Sequence, residues 1–282
     1  MLPLTSLQPI DYLVIGHLTQ DVTVQGLRTG GTAAYAALTA QALGLRVGVV
    51  TSWAADLPAN PLRSLPIASF PSEQTTTFEN IVTPHGRVQY VRTIAPTLDF
   101  YMVPEPWRTA SIVHLGPVAQ EVEPSLVRSF ASALIGVTPQ GWLRAWDQNG
   151  RVHATEWPEA AFVLERAGAA VISIEDVEGD ESRIEELAAS CRILAVTEGQ
   201  DGARIYWNGD VRRFNPPEVA MLDDTGAGDI FAAAFFVRLY TTRDPWEAAR
   251  FATQLSALSV TREGLNGIPT PTEIQECMVQ VY

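Results

Sequence analysis

The residues best placed to do chemistry lie together in Asp223-Asp224-Thr225-Gly226-Ala227-Gly228-Asp229, which runs straight into the apolar stretch Ile230 to Val237. Gly226 and Gly228 have no Cβ, so the chain there can take positive φ and come close to a ligand. A helix opening at this point leaves its first N–H groups without intrahelical partners, and the macrodipole adds partial positive charge. Such a turn is a ready anion site. Asp229 falls in the first turn, where the helix end should hold it ionised and fit to accept a proton beside a phosphate. A carboxylate that merely caps the helix accounts for the same local pattern equally well.

Those residues need a scaffold. Tyr12-Leu13-Val14-Ile15-Gly16 reads as a buried first strand. Arg28 to Ala37 opens a small-residue helix that continues to Leu43, with Gly44 as its C-cap, and a second strand follows over 45–53. Residues 54–71 are rich in Pro, Ala and Asn and predict a linker with a short helix at most. Phe78, Ile81, Val88, Tyr90 and Val91, broken at Pro84-His85-Gly86, predict a β-hairpin. Ile112 to Pro117 is a strand and turn, and 125–135 an amphipathic helix. Thr138 to Gln140 should then stand at a strand's carboxyl end, where ligands of open α/β sheets collect. Asn149-Gly150 marks a turn. Further strands are expected at 169–174 and 192–197, the second feeding a glycine turn, then an Asn208-Gly209 hairpin. Beyond the Asp229 helix, 246–260 is another small-residue helix.

The heptapeptide ending at Asp229 resembles the Asp-Thr-x-Gly-Ala-Gly-Asp signature of the ribokinase-like (PfkB) sugar and nucleoside kinases, with Asp224 in place of a commoner Thr. The resemblance implies a three-layer α/β fold, with a mostly parallel central sheet flanked by helices and a small β-lid. That would make 1–282 a single kinase domain, with lid strands near 17–26 and 73–103. It implies that Asp229 is the base and that the amides of Gly226, Ala227 and Gly228 form an anion hole. Asp21, five residues beyond Gly16, matches a sugar-binding Asp, and a carboxylate can accept from two adjacent hydroxyls. Gly30-Gly31 matches the amino-terminal glycine pair, although Tyr35 stands where the family usually has Asn. Gln140 and Arg144 are similar to the Gln-Gly-aromatic-x-Arg pattern of the inositol-kinase-like branch. Ser173 and Asp176 replace the Asn and Glu that organise Mg²⁺-bound water and phosphate. Thr197, Gly199 and Gly202 match the turn on which nucleotide phosphates rest, Thr225 belongs to the motif, and Thr253 would lie near adenine. ATP and Mg²⁺ are the implied cofactors, a small sugar or polyol the implied substrate, and pairing through the lid the implied dimer.

Composition limits the alternatives. The chain has 282 residues, 46% of them hydrophobic, enough for a substantial core. Its net charge of −13 argues against nucleic acid or an anionic membrane as partner. All 19 basic residues are arginine. The absence of lysine removes P-loop and protein-kinase phosphate chemistry and every Schiff base. Cys191 and Cys277 lack metal-ligand spacing, and His17, His85, His114 and His153 are scattered, so no metal site is expected. His114, in an apolar run, reads as a core histidine. No signal peptide and no span are expected, which leads to a cytoplasmic protein. A Rossmann oxidoreductase would need its glycine fingerprint after the first strand, whereas Gly226-Ala227-Gly228 lies late and has Phe231 in the third glycine's place. A kinase-shaped binding protein without transfer activity, or a nucleoside kinase, remains open.

Overall fold

The computed structural model describes residues 7–23, 26–54, 62–83 and 86–278. Nine strands form one large sheet: β1 (Tyr12–Ile15), β4 (Val47–Trp53), β5 (Ile67–Pro71), β8 (Ile112–Leu115), β9 (Leu134–Val137), β12 (Ala169–Ser173), β13 (Ile193–Thr197), β14 (Ala203–Trp207) and β15 (Asp210–Phe214). Their order is β15-β14-β13-β12-β9-β8-β1-β4-β5, parallel from β13 to β5 with β14 and β15 antiparallel at one edge. A parallel sheet must be covered on both faces, and its strands accordingly read as unbroken apolar runs. This is the mostly parallel α/β sheet, covered by helices, that the sequence resemblance implied.

Alternate residues of each strand supply two separate cores. Tyr12, Val14, Val49, Ile112, Val171 and Ala195 meet α1 (Thr32–Ala42), α4 (Ala227–Thr242) and α5 (Pro245–Ser259). Leu13, Ile15, Val50, Val113, Ile135 and Ile172 face α2 (Ala160–Leu164), α3 (Glu181–Ser190) and Trp107. α1 and α4 are apolar on nearly all sides because they lie inside the molecule. Phe231, Phe235 and Phe236 of α4 are buried, each contributing about 1.5–3 kcal/mol of hydrophobic stabilisation. α4 packs on α1 and α5, and α6 (Pro271–Met278) on α5.

A second sheet of four strands has the order β3-β2-β6-β7 and is built from β2 (Thr19–Thr23), β3 (Gly26–Gly30), β6 (Thr76–Thr83) and β7 (Gly86–Thr93). Its strands therefore occupy 19–30 and 76–93; the 94–103 part of the expected lid carries instead a 3₁₀ turn at Phe100–Met102. The break between β6 and β7, Pro84-His85, lies outside the described residues. A hairpin of β10 (Arg144–Trp146) and β11 (Val152–Ala154) docks on this sheet, with Arg151 opposite Tyr90 and the Val91 N–H donating to the Gly150 carbonyl at 2.8 Å.

Two sequence expectations fail. Residues 125–135 form no amphipathic helix: a 3₁₀ turn at Pro124–Arg128 buries Leu126 and Val127, and Phe130 is seated from the coil that leads to β9. Part of the expected linker is β5, an edge strand paired in parallel with β4; residues 55–61 of that segment lie outside the described residues. Between β14 and β15, Asn208 and Gly209 have φ of 52° and 82°, the two left-handed residues of a type I′ hairpin.

Candidate active site

The strand order reverses at β1, which has β4 on one side and β8 on the other. Chains leaving the carboxyl ends there diverge and open a crevice. Gly16 and Gly116, just past β1 and β8, approach so closely that Gly16 has no room for a Cβ against the Gly116 carbonyl. The crevice widens into a cleft of about 1170 Å³ running from the small sheet to the far end of α5. That volume exceeds what a single small ligand fills and suits two ligands side by side.

The 223–229 segment forms the middle of this cleft. The Ala227 N–H donates to the Asp224 carbonyl at 3.1 Å, closing a tight turn, and Gly226 has φ 80° and ψ 0°. Those angles are the third position of a type II turn, which demands glycine. Tyr35 demands it again, since a Cβ on Gly226 would lie 2.6 Å from the Tyr35 Cγ. The turn corrects one expectation: the Ala227 amide is consumed within it. Among the described residues no acceptor of the protein takes the N–H of Gly226 or Gly228. Asp223 accepts from the N–H groups of Thr225 and Gly264, both at 2.9 Å. Burial pushes its carboxyl up, but these bonds and the Thr225 hydroxyl outweigh burial and hold it below its ordinary value. The Thr225 hydroxyl is thus a partner of Asp223, and Thr225 also lines the cleft.

Asp229 is the third residue of α4, with part of its surface open to the cleft. Desolvation by the surrounding protein pushes its carboxyl up to about 6 from an ordinary 3.8. The Thr32 hydroxyl donates to it and Arg144 attracts it, both lowering the value, while Asp176 and Asp21 repel it and raise it. The expectation that Asp229 is held ionised and able to accept a proton is kept at pH 7, with burial raising its value above that of an ordinary carboxyl. A carboxylate titrating near 6 is largely ionised at pH 7 and still basic enough to take a proton.

The remaining candidate residues fall into three groups. Asp21 lines the cleft from β2, and Gly30 on β3 leaves it space, since a Cβ there would stand 2.5 Å from Asp21 Oδ2. Gly31, at φ 87°, is the N-cap of α1 and lies against the His17 carbonyl. Gln140 and Arg144, expected to serve the acceptor, and Ser173 and Asp176, expected to serve the donor, form one cluster. Gln140 Nε2 donates to Asp176 Oδ1 at 3.3 Å, and Arg144 is 4.0 Å from the same oxygen. Asp176 Oδ2 accepts from the Ser173 N–H while Ser173 Oγ accepts from the Glu175 N–H, a capping box on a 3₁₀ turn. At the far end Thr197, Gly199, Gly202 and Thr253 line the cleft. Gly202 is needed for packing as well, because a Cβ would strike the Phe214 carbonyl. Thr253 is buried, and among the described residues no protein group satisfies its Oγ1.

His114 is a core residue. Its Nδ1 and Nε2 meet the hydroxyls of Tyr12 at 2.8 Å and Thr138 at 2.9 Å, and burial pushes it down to about 3. Sequence reasoning missed three features. Thr32 follows the glycine pair and bonds Asp229. Asn80 and Gln89 pair across β6 and β7 over the cleft at 3.0 Å. Glu121 is buried and accepts from the N–H groups of His17, Val118 and Ala119, tying the β1 and β8 loops together. A hydroxyl at the first helical position was the one local signal available; the other two depend on strand register and loop closure.

Residues 155–273 match the pfkB family carbohydrate kinase profile. The inositol 3-kinases of Zea mays and Oryza sativa subsp. japonica are each 27% identical to the chain, over 72% and 92% of its length. The chain spans about half (53%) of the maize protein and 70% of the rice protein. Among solved structures, a pyrophosphate-dependent kinase in the ribokinase family, complexed with a pyrophosphate analog and myo-inositol, superposes with a TM-score of 0.79 at 18% identity, covering 95% of this chain and 100% of that one. Arabidopsis thaliana ribokinase complexed with ribose and ATP gives a TM-score of 0.74 at 18% identity, over 96% and 99%. At such identity the two structures establish likeness of fold.

Proposed function

We propose, from the match of residues 155–273 to the pfkB family carbohydrate kinase profile and the cleft geometry, that the chain transfers the γ-phosphoryl group of ATP to a hydroxyl of a small polyol or sugar, with cyclic polyols of the inositol class favoured. One observation carries the reading. Asp229 sits midway along a cleft long enough for two ligands, directly beside a turn whose Gly226 and Gly228 amides meet no acceptor among the described residues.

The acceptor lies at the small-sheet end. Asp21 and the Asn80–Gln89 amides offer hydrogen bonds to its hydroxyls, and the sheet above them excludes water that would otherwise compete for the phosphoryl group. Asp229 takes the proton of the attacking hydroxyl. The Gly226 and Gly228 N–H groups and the α4 N-terminus stabilise charge on the transferring oxygens, and Arg144 steadies the negative cluster around them. A Mg²⁺ ion brought with the donor would supply charge neutralisation for the transfer of the γ-phosphoryl group. Among the described residues no group of three His, Cys, Asp or Glu could hold a metal by itself. Asp176, both of whose oxygens are engaged by protein groups, would meet the ion through its water.

The far end favours ATP over pyrophosphate. Val219, Met221, Ala257 and Val260 form apolar wall there, which a nucleobase would cover and pyrophosphate would leave exposed. Pyrophosphate stands as the second reading because the pyrophosphate-dependent kinase shares the fold. A screen of inositols, sugars and nucleosides against both donors decides the matter. Transfer to a cyclic polyol from ATP, abolished in Asp229→Asn with ATP still bound, is the expected result. Substantial turnover in Asp229→Asn would refute the base assignment. Silence over the whole screen with nucleotide binding intact would make this a kinase-shaped binding protein. No helix among the described residues is long and apolar enough to cross a membrane; with free Cys191 and Cys277 we place the activity in the cytoplasm.

A further inference from the structure

The first turn of α1 touches the catalytic segment twice. Thr32, its first residue, is buried and lines the cleft. Its methyl is seated on Gly116, where a Cβ would come within 2.6 Å of Thr32 Cγ2, and its hydroxyl is a hydrogen-bond partner of the Asp229 carboxyl. Tyr35, three residues on, projects from the same face of the helix. Its ring lies against Gly226, and its oxygen reaches Gly264, 3.7 Å from where a Cβ would stand. Gly264 is the residue that Asp223 ties to the same turn. Burial pushes the phenol well above its ordinary value, so it stays neutral beside three carboxylates. Gly31, immediately before this turn, is held against the His17 backbone, so the clamp is anchored at its root.

We propose that Thr32 and Tyr35 are positioning residues: Thr32 orients the Asp229 carboxylate toward the acceptor, and Tyr35 holds the Gly226 turn in the shape that presents its open amides. The clamp rests on the kinase reading for its catalytic consequence, but its geometry can be tested without turnover. The packing explains why an aromatic residue occupies an otherwise small-residue helix: in the Tyr35 position an Asn is too short to fill the space beside Gly226. It also links the wall that faces the acceptor to the turn that faces the phosphoryl group.

The charged and titratable groups facing Asp229 are Asp21 from β2, Arg144 from β10, Asp176 beyond β12, Tyr35 from α1 and Tyr12 from β1. None of them changes in Thr32→Val, which keeps the methyl on Gly116 and removes the hydroxyl. A hydrogen bond to a carboxylate favours its charged form, so its loss should raise the Asp229 apparent pKa by about one unit. Turnover at pH 7 should then fall several-fold, with the acid limb of kcat/KM moved up by about one unit, the deficit shrinking toward pH 8.5, and the limb restored in Thr32→Ser. Tyr35→Ala should lower kcat about tenfold with little change in acceptor KM, while Tyr35→Phe, which keeps the ring, should retain most of it. The Asp229 carboxyl ¹³C resonance, assigned by its absence in Asp229→Asn, gives the same pKa shift with no substrate present. An unmoved resonance in a folded Thr32→Val, or equal kcat in Tyr35→Ala and Tyr35→Phe, overturns the clamp. Failure of the wild type on every donor and acceptor would instead sink the kinase reading, and the resonance would still judge Thr32.

Discussion

Replacing Asp229 by Asn should inactivate the protein and stabilise it. The folded chain holds this carboxyl at about 6 against an ordinary 3.8, with desolvation the largest cause. Between those values the native state binds more protons than the unfolded chain, so stability is full below the unfolded value and drains away as pH rises through about 6. Two pH units correspond to about 3 kcal/mol as a ceiling. Part of the carboxylate faces the open cleft, and solvent screening there reduces the figure to about 1–2 kcal/mol. Asn has nearly the same shape and no charge, so the variant should gain that amount at pH 7, a rise in Tm of about 3–6 °C for a chain of this size. Thermal unfolding of both proteins at pH 7 and pH 5 checks the sign, because the gap should close as the wild-type carboxyl protonates. Turnover should fall by about 10²–10⁴ at least, the span of a lost general base. A variant less stable than wild type at both pH values, or a gap that ignores pH, would refute the account of Asp229 as a buried charge kept at the expense of stability.

Gly226→Ala should lose at least about 2 kcal/mol of stability and nearly all activity, since the position combines left-handed φ with contact against Tyr35; chemical denaturation and a turnover assay read both. Glu121→Gln should cost about 2–3 kcal/mol, because an amide NH₂ must share a buried site with three backbone donors that now meet a carboxylate; an unchanged denaturation midpoint would disprove the loop-tying role. Glu263→Ala removes the partner of Arg28 at 3.3 Å in an exposed pair and should move stability by less than about 1 kcal/mol. His114 should show no titration by NMR between pH 5 and 8, as its imidazole is held neutral by burial with both nitrogens engaged.

What the sequence disclosed and what it concealed divide along the range of the interactions. The first strand, the glycine turn at 226–228 and the Asn208-Gly209 hairpin follow from neighbouring residues, because backbone angles there are dictated locally. Residues 125–135 mislead for a related reason. Leu126, Val127 and Phe130 have spacing that a helix would satisfy, but the protein buries them from a 3₁₀ turn and a coil under the sheet, so tertiary packing overrides periodicity. β5 is an edge strand whose partner is β4, and nothing in its own composition reports that pairing. The charge state of Asp229 shows the limit most plainly. Its place at a helix N-terminus was readable, but the desolvation that raises its value appears only once the chain has folded around it. The Gln140–Asp176–Arg144 cluster is equally nonlocal, joining residues that motif matching divides between acceptor and donor.

The cleft has an unusual charge balance for a site proposed to hold phosphate. Asp21, Asp176 and Asp229 converge in a chain with no lysine, and Arg144 is the cation that acts on Asp229 from within the cluster. Asp21 and Asp176 push the Asp229 pKa up, while Arg144 and Thr32 pull it down. Burial is the largest cause of a carboxyl that titrates near 6 and those opposed influences adjust it, so on the proposed reading the acids around it would serve basicity as well as recognition. The same acids would repel a bare polyphosphate. Backbone amides at Gly226 and Gly228, which carry partial positive charge and do not titrate, would resolve that conflict on the proposed reading: they would favour the anion without withdrawing the basicity that proton transfer requires.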